Sequence, residues 1–432
     1  MRKKNLYASV LAAAILTFPV LNTVQPTAAF AAEQQPAAAA AAAPAQQETP
    51  DVKEILAGNE AVQKRDLSQA MEHYSAAIKL NEKSVPAYLN RGIVYRAQGK
   101  MDNAVSDFSR VIALDAKNEA AYLQLAITHS VQKKTDEAMQ DYQKLLAVNP
   151  NSLPAYMNRG VLYRNMGQLD AALQDFNKAI ELKSDFAGAY FARALAYELQ
   201  GKYENAAADY TKVIELDGKN AQGYNGRGVC FDKLQRYDEA IADFNKAIEL
   251  QPEASLVFAN RAGTYRTMKK YDEAIADFSE VLKLEPEAAD IYTERARTYG
   301  SAGNREAALA DLNKAIELQP QNPERYNERG IASTADASTY QQSVNDFSKA
   351  IELNAKNPAY YVNRAFVYTL LKQNDKALAD YAQALKINSK DAMVLYARGY
   401  LYKVMGKTAE SDADYKAAAA IDPKLPPYAD KK

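Results

Sequence analysis

One cysteine, Cys230, two histidines, His73 and His129, and no tryptophan in 432 residues remove several chemistries at once. A lone thiol cannot close an internal disulfide, and with two imidazoles it leaves no usual zinc or thiol-redox set, so no metal and no cofactor are expected. An excess of charge of one sign is missing too. Lys and Arg number 53 against 54 Asp and Glu, a net charge of -1, which argues against a basic nucleic-acid binder. No phosphate loop or acid/base pair stands out, and the chain is expected not to be an enzyme. Against these shortages stand 29 tyrosines, a surplus that one structural slot filled many times over would create.

Only one segment has the makings of a long apolar run. Arg2, Lys3 and Lys4 precede an apolar stretch from Leu6 to Leu21, and Ala29-Phe30-Ala31 fits a small-x-small cleavage pattern. Residues 1–31 therefore read as a signal peptide, with an uncleaved anchor disfavoured by the short run and by Pro19. The expected location is exported, in the periplasm or outside the cell, with no membrane span after cleavage. Residues 32–50 are almost entirely Ala, Gln and Pro, a composition that cannot build a core and reads as a flexible tether.

Beyond the tether the sequence repeats itself. YLNRGIVY at Tyr88 recurs as YMNRGVLY at Tyr156, FANRAGTY at Phe258 and YVNRAFVY at Tyr361, at multiples of 34 residues with one extra in the last interval. Laying that frame along the chain gives eleven units, 51–84, 85–118, 119–152, 153–186, 187–220, 221–254, 255–288, 289–322, 323–357, 358–391 and 392–425, with a tail at 426–432. Each unit holds two runs of apolar and small residues at helical spacing, split by a turn such as Gln98-Gly99-Lys100, and so reads as a helical hairpin. The eighth place is always Gly or Ala and the twentieth always Ala or Ser, which lets the two helices approach closely. Tyr fills the fourth place eight times and the eleventh seven times, and Tyr or Phe fills the twenty-fourth ten times.

This pattern resembles the tetratricopeptide repeat, with Tyr in place of the usual Trp and with the terminal Pro present only at Pro150, Pro252, Pro286, Pro320 and Pro423. The resemblance implies an all-α fold, a right-handed α-solenoid in which first helices line a concave groove and second helices form the outer wall. The ends differ from the rest. The first unit is atypical, and the last carries Asp412 and Ala419 where other units place the apolar residues that would receive a following hairpin.

Arg at the seventh place in nine units and Asp at the twenty-third in ten read either as an anion-binding ladder or, preferentially, as an ion pair joining the helices of each hairpin. His73 and His129 occupy repeat-defining places, and Cys230 reads as a small buried hydrophobe. Gly223, Gly226 and Gly228 in the sixth unit, and the Ser/Thr-rich turn of the ninth, are candidate hinges if they are not drift in a tolerant array.

The resemblance also places the second, fifth, sixth, ninth and twelfth positions on the concave side. Asn90, Asn158, Asn260 and Asn363 share the sixth position, where related superhelical proteins use an amide to hold the backbone of an extended peptide. Leu89, Ile93, Leu123, Ile127, Met157, Val161, Phe191 and Leu195 form an apolar stripe, and apolarity returns at Phe366 and Tyr400. Self-burial of these residues is the competing reading. The expected function is a non-enzymatic scaffold of a bacterial cell envelope that binds extended peptide segments of other proteins. The alternatives are a self-assembling structural protein and a regulatory subunit of a secretion or polysaccharide-export machine. Oligomeric state is left open.

Overall fold

In the computed structural model, which describes residues 49–425, helices follow one another in consecutive pairs, and no strand occurs among the described residues. The signal segment 1–31, most of the tether 32–50 and the tail 426–432 lie outside the described residues. Pro50, the last tether residue, opens the first helix, Pro50–Gln63, because the fixed φ of proline suits the first helical position. Later first helices begin at Val85, Glu119, Leu153, Ala187, Ala221, Ser255, Ala289, Pro323, Pro358 and Ala392.

The helices group into two compact units, one ending at Gly201 and the other beginning at Lys202. The first contains hairpins one to four and the first helix of the fifth. The second contains the remaining helices. Inside each unit the main contacts join helices one or two apart in chain order, as expected of an array in which each repeat leans on its neighbours. First helices of successive hairpins also touch, as Val85–Ala97 touches Glu119–Val131.

Local chemistry sets the ends of each helix. The fifteenth residue of a hairpin takes a left-handed conformation and stops the first helix, and five of these residues are glycine, such as Gly99 at φ 76°. Arg65, Lys133, Gln235, Lys269 and Lys372 adopt the same turn at φ near 60° without that freedom. The ninth hairpin departs from it and uses its additional residue in a short 3-10 segment, Ala337–Thr339.

Helix Met101–Leu114 shows how a hairpin closes. It buries Ala104, Asp107, Phe108 and Val111, which fall at i, i+3, i+4 and i+7 on one face. The Phe108 ring lies against Gly92 so closely that a Cβ there would sit 2.6 Å from it, so in this hairpin glycine is what lets the ring approach.

The buried Asp of that face is neutralised across the hairpin. Arg227 donates from Nε and Nη2 to the two Asp243 oxygens, both at 2.7 Å, and Arg91–Asp107, Arg261–Asp277, Arg295–Asp311 and Arg364–Asp380 repeat the two-pronged geometry. The remaining Nη1 reaches back to the preceding hairpin, from Arg227 to Thr211 Oγ1 at 3.2 Å and from Arg295 to Ser279 Oγ at 2.9 Å. Tyrosines at the fourth and eleventh places flank the guanidinium, as Tyr88 and Tyr95 flank Arg91 at 5.6 and 5.7 Å. The Asp243 hydrogen bonds hold Arg227 above its ordinary protonation range in spite of its partial burial. The seventh-place arginines so paired are therefore structural. In the third hairpin, where Leu125 replaces the arginine, His129 Nδ1 stands 2.8 Å from Asp141 instead, and in the first His73 Nδ1 meets Glu54 at 2.7 Å.

Neither candidate hinge is loosely packed. A Cβ at Gly226 would lie 2.4 Å from the Tyr210 ring and one at Gly228 2.7 Å from Phe244, so these glycines permit close approach. The ninth turn is tied by an Arg305–Asp336 ion pair at 2.8 Å and by Thr339 Oγ1 donating to the Ser333 carbonyl at 2.5 Å.

At the other end of the second unit, Leu385 is buried and Leu378 packs beside it against a cluster containing Leu395, Leu401 and Ala418, whereas Asp412 and Ala419 face solvent. Deleting residues 392–425 should uncover Leu378 and Leu385 and drive association. Light scattering should then show concentration-dependent oligomers, and a monomeric ten-hairpin variant would contradict the capping role of the last hairpin.

Candidate functional site

The first-helix face carries the residues singled out for binding, and the structure treats them unequally. Leu89, Ile93, Leu123, Ile127, Val161, Phe191 and Leu195 are all half-buried on hairpins two to five of the first unit. Leu89 and Ile93 lean on the cluster of Ala104, Phe108 and Leu125, and Leu123 leans on that of Ala126, Tyr142 and Leu145, leaving part of each side chain accessible. Met157 is a correction to the stripe. It is only 1% exposed and packs among Ala172, Phe176 and Ala189, where it fills the core and offers a partner nothing. In the second unit Phe366 packs beside Val344, Phe347 and Val367, and Tyr400 is 44% exposed.

The asparagines are bound up with one another. Asn260 Nδ2 donates to Asn225 Oδ1 at 2.9 Å, and Asn363 Nδ2 to Asn327 Oδ1 at 2.9 Å, each pair joining the first helices of adjacent hairpins. In the first unit Asn90 Nδ2 donates to Asn59 Oδ1 at 3.0 Å, and the Tyr74 hydroxyl donates to the same oxygen at 2.8 Å. Burial pushes that hydroxyl up to about 12. Asn158 instead bonds the Pro154 carbonyl of its own helix at 2.8 Å. One donor of each amide is therefore engaged internally, and the sequence offered a sign of this in Asn59, Asn225 and Asn327 one repeat earlier.

Charges fill the same face in hairpins seven to nine. Arg297 meets Glu294 and Glu328, each at 2.5 Å, and Arg266 meets Glu294 at 2.6 Å. Burial works against the Arg297 charge, yet the carboxylates of Glu328 and Glu294 outweigh it and hold the guanidinium firmly protonated. Arg325, buried in the ninth hairpin, donates to Thr293 Oγ1 at 3.0 Å and pairs with Asp290. Partners thus satisfy this polar stretch from within.

Arg96 was passed over in the sequence, although it shares the twelfth place with Arg164 and Arg266. Its Nη2 donates to Gln124 Oε1 at 2.8 Å, and its Nε is buried without a hydrogen-bond partner. Cys230 is fully buried, and among the described residues no three His, Cys, Asp or Glu stand together to hold a metal. No helix of the described residues is long and apolar enough to cross a membrane.

If the asparagine pairs are structural, Asn260→Ala should lower stability by about 1 kcal/mol with no ligand present. Urea denaturation measures this, and an unchanged midpoint would show that the Asn225–Asn260 bond contributes nothing to the fold.

Among solved structures, a tetratricopeptide repeat protein from Parabacteroides merdae is 22% identical, with 57% of this chain and 98% of that one covered at a TM-score of 0.45. The C-terminal part of a repeat-containing protein from Cytophaga hutchinsonii is 17% identical over 55% of this chain and 98% of that one, at a TM-score of 0.48. YrrB, described as a tetratricopeptide repeat protein with an unusual peptide-binding site, is 27% identical over 41% of this chain and 92% of its own, at a TM-score of 0.36. Comparison with curated proteins gave no match. The tetratricopeptide repeat matches residues 154–186, 187–220, 221–253, 95–158, 265–328, 358–391 and 393–425, and a further repeat of the same kind matches 58–99. The chain belongs to the tetratricopeptide repeat family, whose arrays are protein-interaction scaffolds.

Proposed function

We propose that this protein is a non-enzymatic, exported scaffold that holds an extended segment of a partner protein along the first-helix face of its N-terminal unit. One observation carries the reading: seven apolar side chains, Leu89, Ile93, Leu123, Ile127, Val161, Phe191 and Leu195, occupy equal places on four successive first helices and remain partly accessible. Their spacing suits an extended chain that presents a side chain to each hairpin in turn. Apolar contact supplies most of the affinity, since each buried methylene contributes about 0.8 kcal/mol. The amides of Asn90 and Asn158 have a donor spent within the protein, and so they orient the segment more than they bind it. The basic, apolar and small-residue order of the N-terminus favours export into a bacterial envelope.

The test is capture from an envelope fraction with residues 32–432. Leu123→Asp and Phe191→Asp together should weaken capture by more than about tenfold while the helical circular-dichroism signal is retained. Capture that survives both changes but is lost on substitution of exposed second-helix residues would move the site to the opposite face. Oligomers that grow with concentration and involve no other protein would favour self-assembly.

A further inference from the structure

The N-terminal unit carries a cation on its first-helix face that no described carboxylate neutralises. Arg96, at the twelfth place of hairpin two, donates from Nη2 to the neutral amide of Gln124, at the sixth place of hairpin three, while its buried Nε has no partner. The second unit contains the same pair in the same register with one atom's difference in chemistry. Arg266, at the twelfth place of hairpin seven, donates from Nη1 to the carboxylate of Glu294, at the sixth place of hairpin eight, at 2.6 Å. Both pairs span 28 residues. Gln124 thus stands where Glu294 stands, with the shape kept and the charge removed. Burial works against the Arg96 charge, lowering it from the ordinary arginine range. Arg164 and Glu198, which share the twelfth place, have interactions of their own.

We infer that Arg96 takes a carboxylate from an Asp or Glu side chain within the extended segment held on this face, so that the partner supplies the charge Glu294 supplies in the other unit. The inference rests on the function proposed above and adds the chemistry of the partner: an apolar segment with an internal acidic residue. Charge complementarity selects the acid, because a partly desolvated guanidinium bonded to a neutral amide gains more from a carboxylate than from any neutral group. Position selects an internal residue over a chain end. Leu89 and Ile93 lie on the Arg96 helix and Leu123 and Ile127 on the next, so a segment seated on them continues past Arg96 on both sides.

Fluorescence anisotropy of the full chain with three synthetic peptides tests this. All alternate Leu and Ser: one has a single central Glu and an amidated C-terminus, one has Gln there and the same amide, and one has Gln with a free C-terminal carboxylate. The Glu peptide should bind about tenfold or more tightly than its Gln twin. Both Arg96→Gln and Gln124→Glu should bring the twins within about twofold. Gln124→Glu keeps Arg96 in place and reproduces the Arg266–Glu294 pair, and an unchanged helical circular-dichroism signal separates its effect from unfolding. Equal binding of the Glu and Gln peptides, a preference that survives both substitutions, or tightest binding by the peptide with the free terminus would each overturn the inference while leaving the groove reading standing. Failure of all three peptides to bind would overturn both.

Discussion

The two-pronged bond between the seventh-place arginine and the twenty-third-place aspartate is the contact on which the rest of this structure depends. The aspartate lies on the buried face of the second helix because it neighbours the aromatic residue that packs against the first helix. Asp243 and Phe244 are adjacent, and both are buried. An unpaired carboxylate there would be costly, and Arg227 removes that cost with a fork geometry that a lysine could not supply. The same guanidinium reaches Thr211 in the preceding hairpin, so a single side chain ties three helices. Its flat faces are covered by Tyr224 and Phe231, each 5.7 Å away, which gives the aromatic surplus at the fourth and eleventh places a physical reason.

Departures from that bond show what it constrains. Where Leu125 removes the arginine, Asp141 remains buried, and its carboxyl is pushed up by desolvation although His129 bonds it. Where the first hairpin replaces the aspartate with His73, the arginine disappears as well and Glu54 takes the imidazole. An isolated charge is avoided in both cases. Residues on the first-helix face are free of this constraint, and there the two units diverge. The second fills its face with Arg266, Glu294, Arg297 and Glu328, which neutralise one another, whereas the first presents apolar side chains and Arg96, which is bonded to an amide.

Much of the fold was legible because a repeat prints each constraint many times. Gly or Ala at the eighth place, Ala or Ser at the twentieth and the recurrent Arg and Asp could be aligned without coordinates, and they specify a helical hairpin. The face was less legible because its residues vary from unit to unit. Met157 occupies a fifth place like Leu123, but it rotates into the core beside Phe176, and periodicity alone does not resolve a difference of part of a helical turn. The sixth-place asparagines stand out in the sequence as peptide-binding amides, whereas three of them bond partners in the preceding hairpin. The left-handed turns at Lys133, Lys269 and Lys372 were hidden because only glycine advertises that conformation in a sequence. Arg96 does not stand out in its own column, because its meaning lies in the diagonal to Gln124 at the sixth place of the next hairpin.

A double-mutant cycle on Arg227 and Asp243, read by urea denaturation of the full chain, tests the central claim most directly. If the pair holds the hairpin together, Arg227→Ala and Asp243→Ala should each destabilise, and the two together should fall short of their sum by about 1 to 4 kcal/mol. Additive effects, with a coupling below about 0.3 kcal/mol, would contradict the account and place the stability of the array in its apolar packing alone.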